Sequence, residues 1–189
     1  MPELEDLSGP FNPNLKFEDF SKNFLLKLMN VWQHAWLQQD LAWYEIIKDR
    51  WGAQAANDSR LEAWLKIAER VNPRYAKVGN IQLNTVLDSL KACQLPLDNS
   101  VGGLPPVEYE IKNPNHVIMT VKQCVALTAF EKSDPERIYP MCHVTEPPVM
   151  TRYMINPKIK VTALKLPPVP PQRRRPGEIA CQWEIKLEA

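Results

Sequence analysis

The sequence predicts an α+β fold, with a helical amino-terminal half packed on a carboxyl-terminal antiparallel β-sheet and one short helix inserted. Three observations predict it. Up to about residue 94, apolar residues recur at steps of three and four; after about residue 107 they alternate in steps of two. The regular strand–helix alternation of a parallel α/β sheet is missing. With 189 residues, 44% of them hydrophobic, the chain can bury one good-sized core. The expected organisation is a single domain over 1–189, with an irregular lead-in at 1–16, a helical half at 17–94 and a mainly β half at 107–188.

Each element has its own signal. Phe17, Phe20, Phe24, Leu28, Trp32 and Trp36 share one helix face. Asp40 reads as a joint, after which Leu41, Tyr44, Ile47 and Trp51 continue the spacing up to Gly52, a helix end. Asn57, Asp58 and Ser59 are N-cap types, so a further helix is expected to start there and to stop before Asn72-Pro73. Ile81, Val86, Leu87 and Leu90 suggest another helix ending near Cys93. Residues 95–106 read as a loop. Val107, Tyr109 and Ile111 alternate with charged residues, and Asn113-Pro114-Asn115 predicts a hairpin turn. A long strand is expected from His116 to Lys132, then an irregular stretch, then a short helix with Pro147 and Pro148 in its first turn. Lys158–Leu166 and Ile179–Leu187 read as strands around a loop rich in proline and arginine.

Composition narrows the function. There are 23 Lys plus Arg against 22 Asp plus Glu, so no charge excess draws the chain to nucleic acid or an anionic membrane. The acidic amino terminus lacks an apolar run, and no stretch is apolar enough to span a bilayer. The expectation is a cytoplasmic protein, where four cysteines serve as thiols, metal ligands or core fillers rather than disulfides. Six glycines leave little room for a phosphate-binding loop, and neither a dinucleotide fingerprint nor a nucleophile elbow is present.

The chemistry-bearing set is Cys124, Cys142, His143 and Cys181. Thiolates with an imidazole suit a tetrahedral zinc site. Alternatively, Cys142 acts as a nucleophile with His143 as its base. Neither C-x-x-C nor H-x-x-x-H supports the metal reading, and cysteine also serves as a small buried hydrophobe. Cys93, at a helix end, reads as structural. Trp36, Trp43 and Trp183 are candidate walls of an aromatic ligand pocket, although a tryptophan stripe at helical spacing is more often core. His34 and His116 read as solvated or exposed. Glu45 and Asp49, four apart with Asp40 before them, read either as an ordinary helical surface pair or as carboxylates for acid–base work or a hard cation. Lys158, Lys160, Lys165 and Arg173 to Arg175 form a basic cluster, either a solvated loop or an anion clamp.

The segments VKQCVAL around Cys124, YPMCHVTEPP around Cys142 and CQWEIKL from Cys181, following a helical first half, resemble the L-2-amino-thiazoline-4-carboxylate hydrolase-like family. The resemblance covers roughly residues 18–188. It implies an α+β domain with a pocket near these cysteines and hydrolytic opening of a small sulfur–nitrogen ring. His143 and the long Pro167–Pro176 loop depart from that pattern.

Three functions follow as expectations. One is a small-molecule hydrolase acting on a C–N bond through the Cys/His site, with or without zinc. Another is a non-catalytic protein that holds a small ligand in an aromatic-lined pocket. An interaction module that forms a homodimer through its first amphipathic helix is a third.

Overall fold

In the computed structural model, described residues are 3–96, 107–170, 172, 174, 175 and 177–188. Most of the expected 95–106 loop and Arg173 lie outside them. The element order is α1 (Lys22–Trp51), α2 (Ala53–Val78), α3 (Val86–Cys93), β1 (Val107–Asn113), β2 (His116–Val121), α4 (Val125–Ser133), α5 (Glu146–Tyr153), β3 (Ile159–Lys165) and β4 (Cys181–Leu187). A helical first half and an antiparallel second half are as the periodicities predict. The chain divides into two compact units, Met1–Trp43 and Tyr44–Ala189, and α1 runs through the boundary.

In the first unit, Leu4 bridges to Phe20, and the Phe20 and Phe24 rings stack at 4.5 Å. Phe17 meets Trp32 edge-on at 5.7 Å. Asp40 makes no joint, because α1 is continuous to Trp51. At Gly52, φ is +89°, a left-handed value that glycine adopts without strain, so α1 ends there as the sequence predicts. The next helix begins at once, at Ala53, ahead of the expected Asn57–Ser59 caps. Asn57 instead accepts a hydrogen bond from the Tyr44 hydroxyl at 3.2 Å.

Proline 73 does not stop α2. Ala68, Asn72 and Ala76 form a buried stripe that continues across it. Packing of that stripe outweighs the one lost backbone bond. The α3 start follows the capping-box pattern: the Asp88 N–H donates to Thr85 Oγ1 at 3.1 Å, and the Thr85 N–H donates to Asp88 Oδ2 at 3.1 Å.

The sheet has the order β1-β2-β4-β3, antiparallel throughout. In its centre Val117 faces Ile185, Met119 faces Trp183 and Val121 faces Cys181. These residues lie on one side of the pleat, and Val117, Met119, Trp183 and Ile185 are buried against Ala68 of α2, Leu90 of α3 and Val149 and Tyr153 of α5. The helices therefore cover one face, as a one-sided antiparallel sheet requires. The hairpin turn forms as expected, and the Asn115 N–H donates to Asn113 Oδ1 at 2.8 Å. Edge strand β1 is exposed along nearly its whole length, and its charged side chains discourage further strand pairing.

The expected long strand from His116 to Lys132 is corrected. Alternation holds only to Val121. Beyond it, Leu127 and Phe130 follow the three-residue step of α4, and both are buried. A second correction concerns residues 134–145, expected to be irregular. They form a 3-10 turn at Pro135–Arg137 and then a π-helical stretch at Tyr139–Thr145 that leads into α5. The inserted short helix starts with Pro147 and Pro148 as predicted, and α4 joins it as a second. His116 is half-buried, not exposed, with Nε2 2.8 Å from Glu184 Oε1.

Candidate functional site

Cys124, Cys142 and Cys181 come from three separate elements into one electrostatic neighbourhood. Cys124 sits at the N-cap of α4, not in a strand. Its Sγ accepts from the Leu127 N–H at 3.5 Å, a weak substitute for the usual oxygen cap. Cys142 lies in the π-helical stretch. Cys181 opens β4 and faces Val121, and its Sγ accepts from Trp183 Nε1–H at 3.1 Å. All four cysteines are free thiols.

The π-helical stretch has a sequence cause. Two successive prolines, Pro147 and Pro148, carry no N–H. The Glu146 N–H goes to the Met141 carbonyl, five residues back. Neither proline can donate the backbone bond that a preceding carbonyl would receive in a regular helix. π-Helical turns of this kind gather at functional sites.

Burial dominates the thiols' acidity. It pushes Cys142 far above the usual thiol range, and the charge of Glu146 adds to it, followed by the neighbouring Cys124 and Cys181. Cys181 is pushed up to about 11, again chiefly by burial, against the opposing hydrogen bond from Trp183. Cys124 is raised by burial, partly offset by the Leu127 N–H. At neutral pH the three sulfurs are protonated thiols. As such they are weak donors and soft, polarizable walls, not nucleophiles.

Two residues join them that the sequence reading missed in this role. Glu146 is four positions beyond Cys142, one turn along the same helical face. Arg174, from the loop before β4, donates Nε to Glu131 Oε1 at 2.7 Å and Nη2 to Glu131 Oε2 at 3.2 Å. Its Nη2 also reaches Thr128 Oγ1 at 3.3 Å. Cys124, Thr128 and Glu131 follow one stripe of α4, so this two-pronged bridge pins the loop beside the thiols. The side chains of Arg174 and Glu131 are 13% and 12% exposed.

His143 does not join the thiols. Its Nε2–H donates to the Pro167 carbonyl at 2.8 Å, and its ring stacks on Tyr139 at 5.3 Å. A carbonyl only accepts, so the neutral ring carries its proton on Nε2. Neighbours in a helix project in different directions, which separates His143 from Cys142. Among the described residues, no group of three or more His, Cys, Asp or Glu side chains is placed to hold a metal ion. Of the expected zinc set of Cys124, Cys142, His143 and Cys181, His143 is thus engaged through Nε2 with the Pro167 carbonyl.

Of the aromatic candidates, Trp36 and Trp43 belong to the first unit and Trp183 to the second. Trp183 is buried in the core at 2% exposure; Trp43, in the first unit, is 59% exposed; and Trp36, in that same unit, is half-buried. The Cys93 Sγ–H donates to the Tyr153 carbonyl at 3.1 Å and ties α3 to the end of α5.

A model of the DUF6125 family, described as a family of unknown function, matches residues 18–187. The chain belongs to DUF6125. Membership spans all nine helices and strands described above, from α1 to β4. No curated protein and no solved structure matches the chain. None of the comparisons links this DUF6125 chain to the aminothiazoline-carboxylate hydrolase-like proteins. Among the described residues, no helix is long and apolar enough to cross a membrane.

Proposed function

We propose that the chain is a small-molecule-binding protein whose site is the centre formed by Cys124, Cys142, Cys181 and Glu146. One observation carries this reading: three thiols far apart in sequence share one half-buried neighbourhood with a carboxylate and a pinned arginine. Core filling alone needs neither charge. The same observation weighs against thiolate catalysis, since burial keeps the sulfurs protonated and His143 is bound elsewhere.

The hydrolase reading keeps one support. The cysteines that meet are the ones that carry the resemblance to the L-2-amino-thiazoline-4-carboxylate hydrolase-like family. In that reading a water, not a thiolate, attacks the C–N bond, and Glu146 is the group able to take its proton.

A screen of small carboxylates and sulfur–nitrogen heterocycles against the 15N-labelled chain separates the two. A compound that shifts the amides near Cys124, Cys142 and Cys181 together and is recovered intact supports binding. A compound recovered ring-opened supports hydrolysis. Hits confined to other surfaces would remove both.

A further inference from the structure

Beside the thiol centre, the described residues place three cations, Lys165, Arg174 and Arg175, near two carboxylates, Glu131 and Glu178. The end of β3 and the loop after it form an open pocket lined by Lys165, Pro167, Gln172, Arg175, Glu178 and Ala180, with Arg174 in its wall. Arg174 is paired with Glu131. Glu178 Oε2 accepts from the Arg175 backbone N–H at 2.9 Å, and the Glu178 N–H returns to the Arg175 carbonyl at 3.0 Å. Gly177, at φ +83°, supplies the left-handed residue that closes this turn. The Lys165 ammonium and the Arg175 guanidinium make no ion pair among the described residues.

The pocket borders the centre. Arg174 lines the pocket, and its charge acts on all three thiols. Ala180 packs in the buried cluster that Cys124 and Cys142 join. A ligand at the thiols would therefore present one end to Lys165 and Arg175. A compact ammonium and a planar fork on a turn held from both sides suit an oxyanion.

We propose that this pocket takes the carboxylate or phosphate group of the small molecule bound at the thiol centre, with Lys165 and Arg175 as its charge partners. The inference rests on the binding reading above for the body of the ligand.

The test titrates inorganic phosphate, and separately acetate, into the 15N-labelled full chain at fixed ionic strength. Saturable shifts are expected at Leu166, Gln172, Glu178 and Ala180, and the tighter anion names the group. Lys165→Ala and Arg175→Ala should each weaken binding by about fivefold, the scale of an exposed charge contact. Lys160→Ala, at the other end of β3 and beside Glu188, should leave it unchanged. No saturable shift at those amides, or equal affinity in both pocket variants, overturns the proposal. If phosphate fails while small molecules still shift the amides around Cys142 and Cys181, only the anion pocket falls. If phosphate binds as expected and nothing binds at the thiols, the pocket stands and the reading above falls.

Discussion

Glu146 lies one helical turn beyond Cys142, and its carboxylate is the strongest charge acting on that thiol. The pair joins the π-helical stretch to α5. A negative charge there opposes formation of a thiolate, so residue 146 sets how inert residue 142 is.

Glu146→Gln should therefore bring the Cys142 thiol down, with burial still holding it above the ordinary thiol value. Alkylation of Cys142 should speed up at a fixed alkaline pH, while Cys93 keeps its rate. Mass spectrometry of the alkylated chain reads both. An unchanged Cys142 rate would remove Glu146 from the centre.

Removing one partner of the Arg174–Glu131 bridge strands the other in a nearly closed setting. Arg174→Ala or Glu131→Ala should cost about 2–3 kcal/mol of stability, because both side chains are largely buried and bound by two hydrogen bonds. The double variant Arg174→Ala, Glu131→Ala should cost less than the two single losses added together. Urea unfolding of the four proteins gives the cycle; strictly additive losses would mean the bridge is not formed.

Stability should fall in alkali. The unfolded thiols ionise near the ordinary value of 9.0, whereas Cys181 holds its proton to about 11 and Cys142 beyond that. Below pH 9 both states are protonated, and the thiols leave stability independent of pH. As pH rises from about 9 towards 11, only the unfolded state releases protons, so stability drops by up to about 1.4 kcal/mol per pH unit for each such thiol. Cys142→Ala and Cys181→Ala should each flatten that slope in urea melts. Equal slopes in the variants and the parent would mean that the sulfurs are not buried as described.

Trp183 has two separable roles. Its ring fills the core beneath Met119 and Ala163, its neighbours in the sheet, and Trp183→Ala should cost about 3–5 kcal/mol. Trp183→Phe keeps much of the packing but removes the N–H that holds the Cys181 thiol down. In that variant Cys181 should alkylate at still higher pH; alkylation at lower pH would mean that the indole contact is absent.

Much of the fold was legible because burial on one face imprints its period on the chain. Val117, Met119 and Val121, and Trp183 with Ile185, alternate as a one-sided sheet must. The errors have local causes. The helix after Val121 begins at Cys124, whose thiol is no ordinary cap, so its start carries no oxygen signal. Proline 73 reads as a stop, but the stripe from Ala68 to Ala76 continues over it. A π-helical turn has no propensity signature, which hid the helical spacing from Cys142 to Glu146 and made Cys142 and His143 look like a pair. The meeting of the three cysteines could be guessed from their separate elements. The docking of Arg174 on Glu131 could not, because 43 residues separate them and nothing local marks either.

The most direct measurement is the alkylation rate of each cysteine by iodoacetamide from pH 6 to 11, resolved by mass spectrometry of the native chain. The account predicts that Cys124, Cys142 and Cys181 stay slow through neutral pH, with Cys181 accelerating only near pH 11 and Cys142 later still. Fast alkylation of any of the three at neutral pH would contradict it, and would return an activated thiolate to the centre.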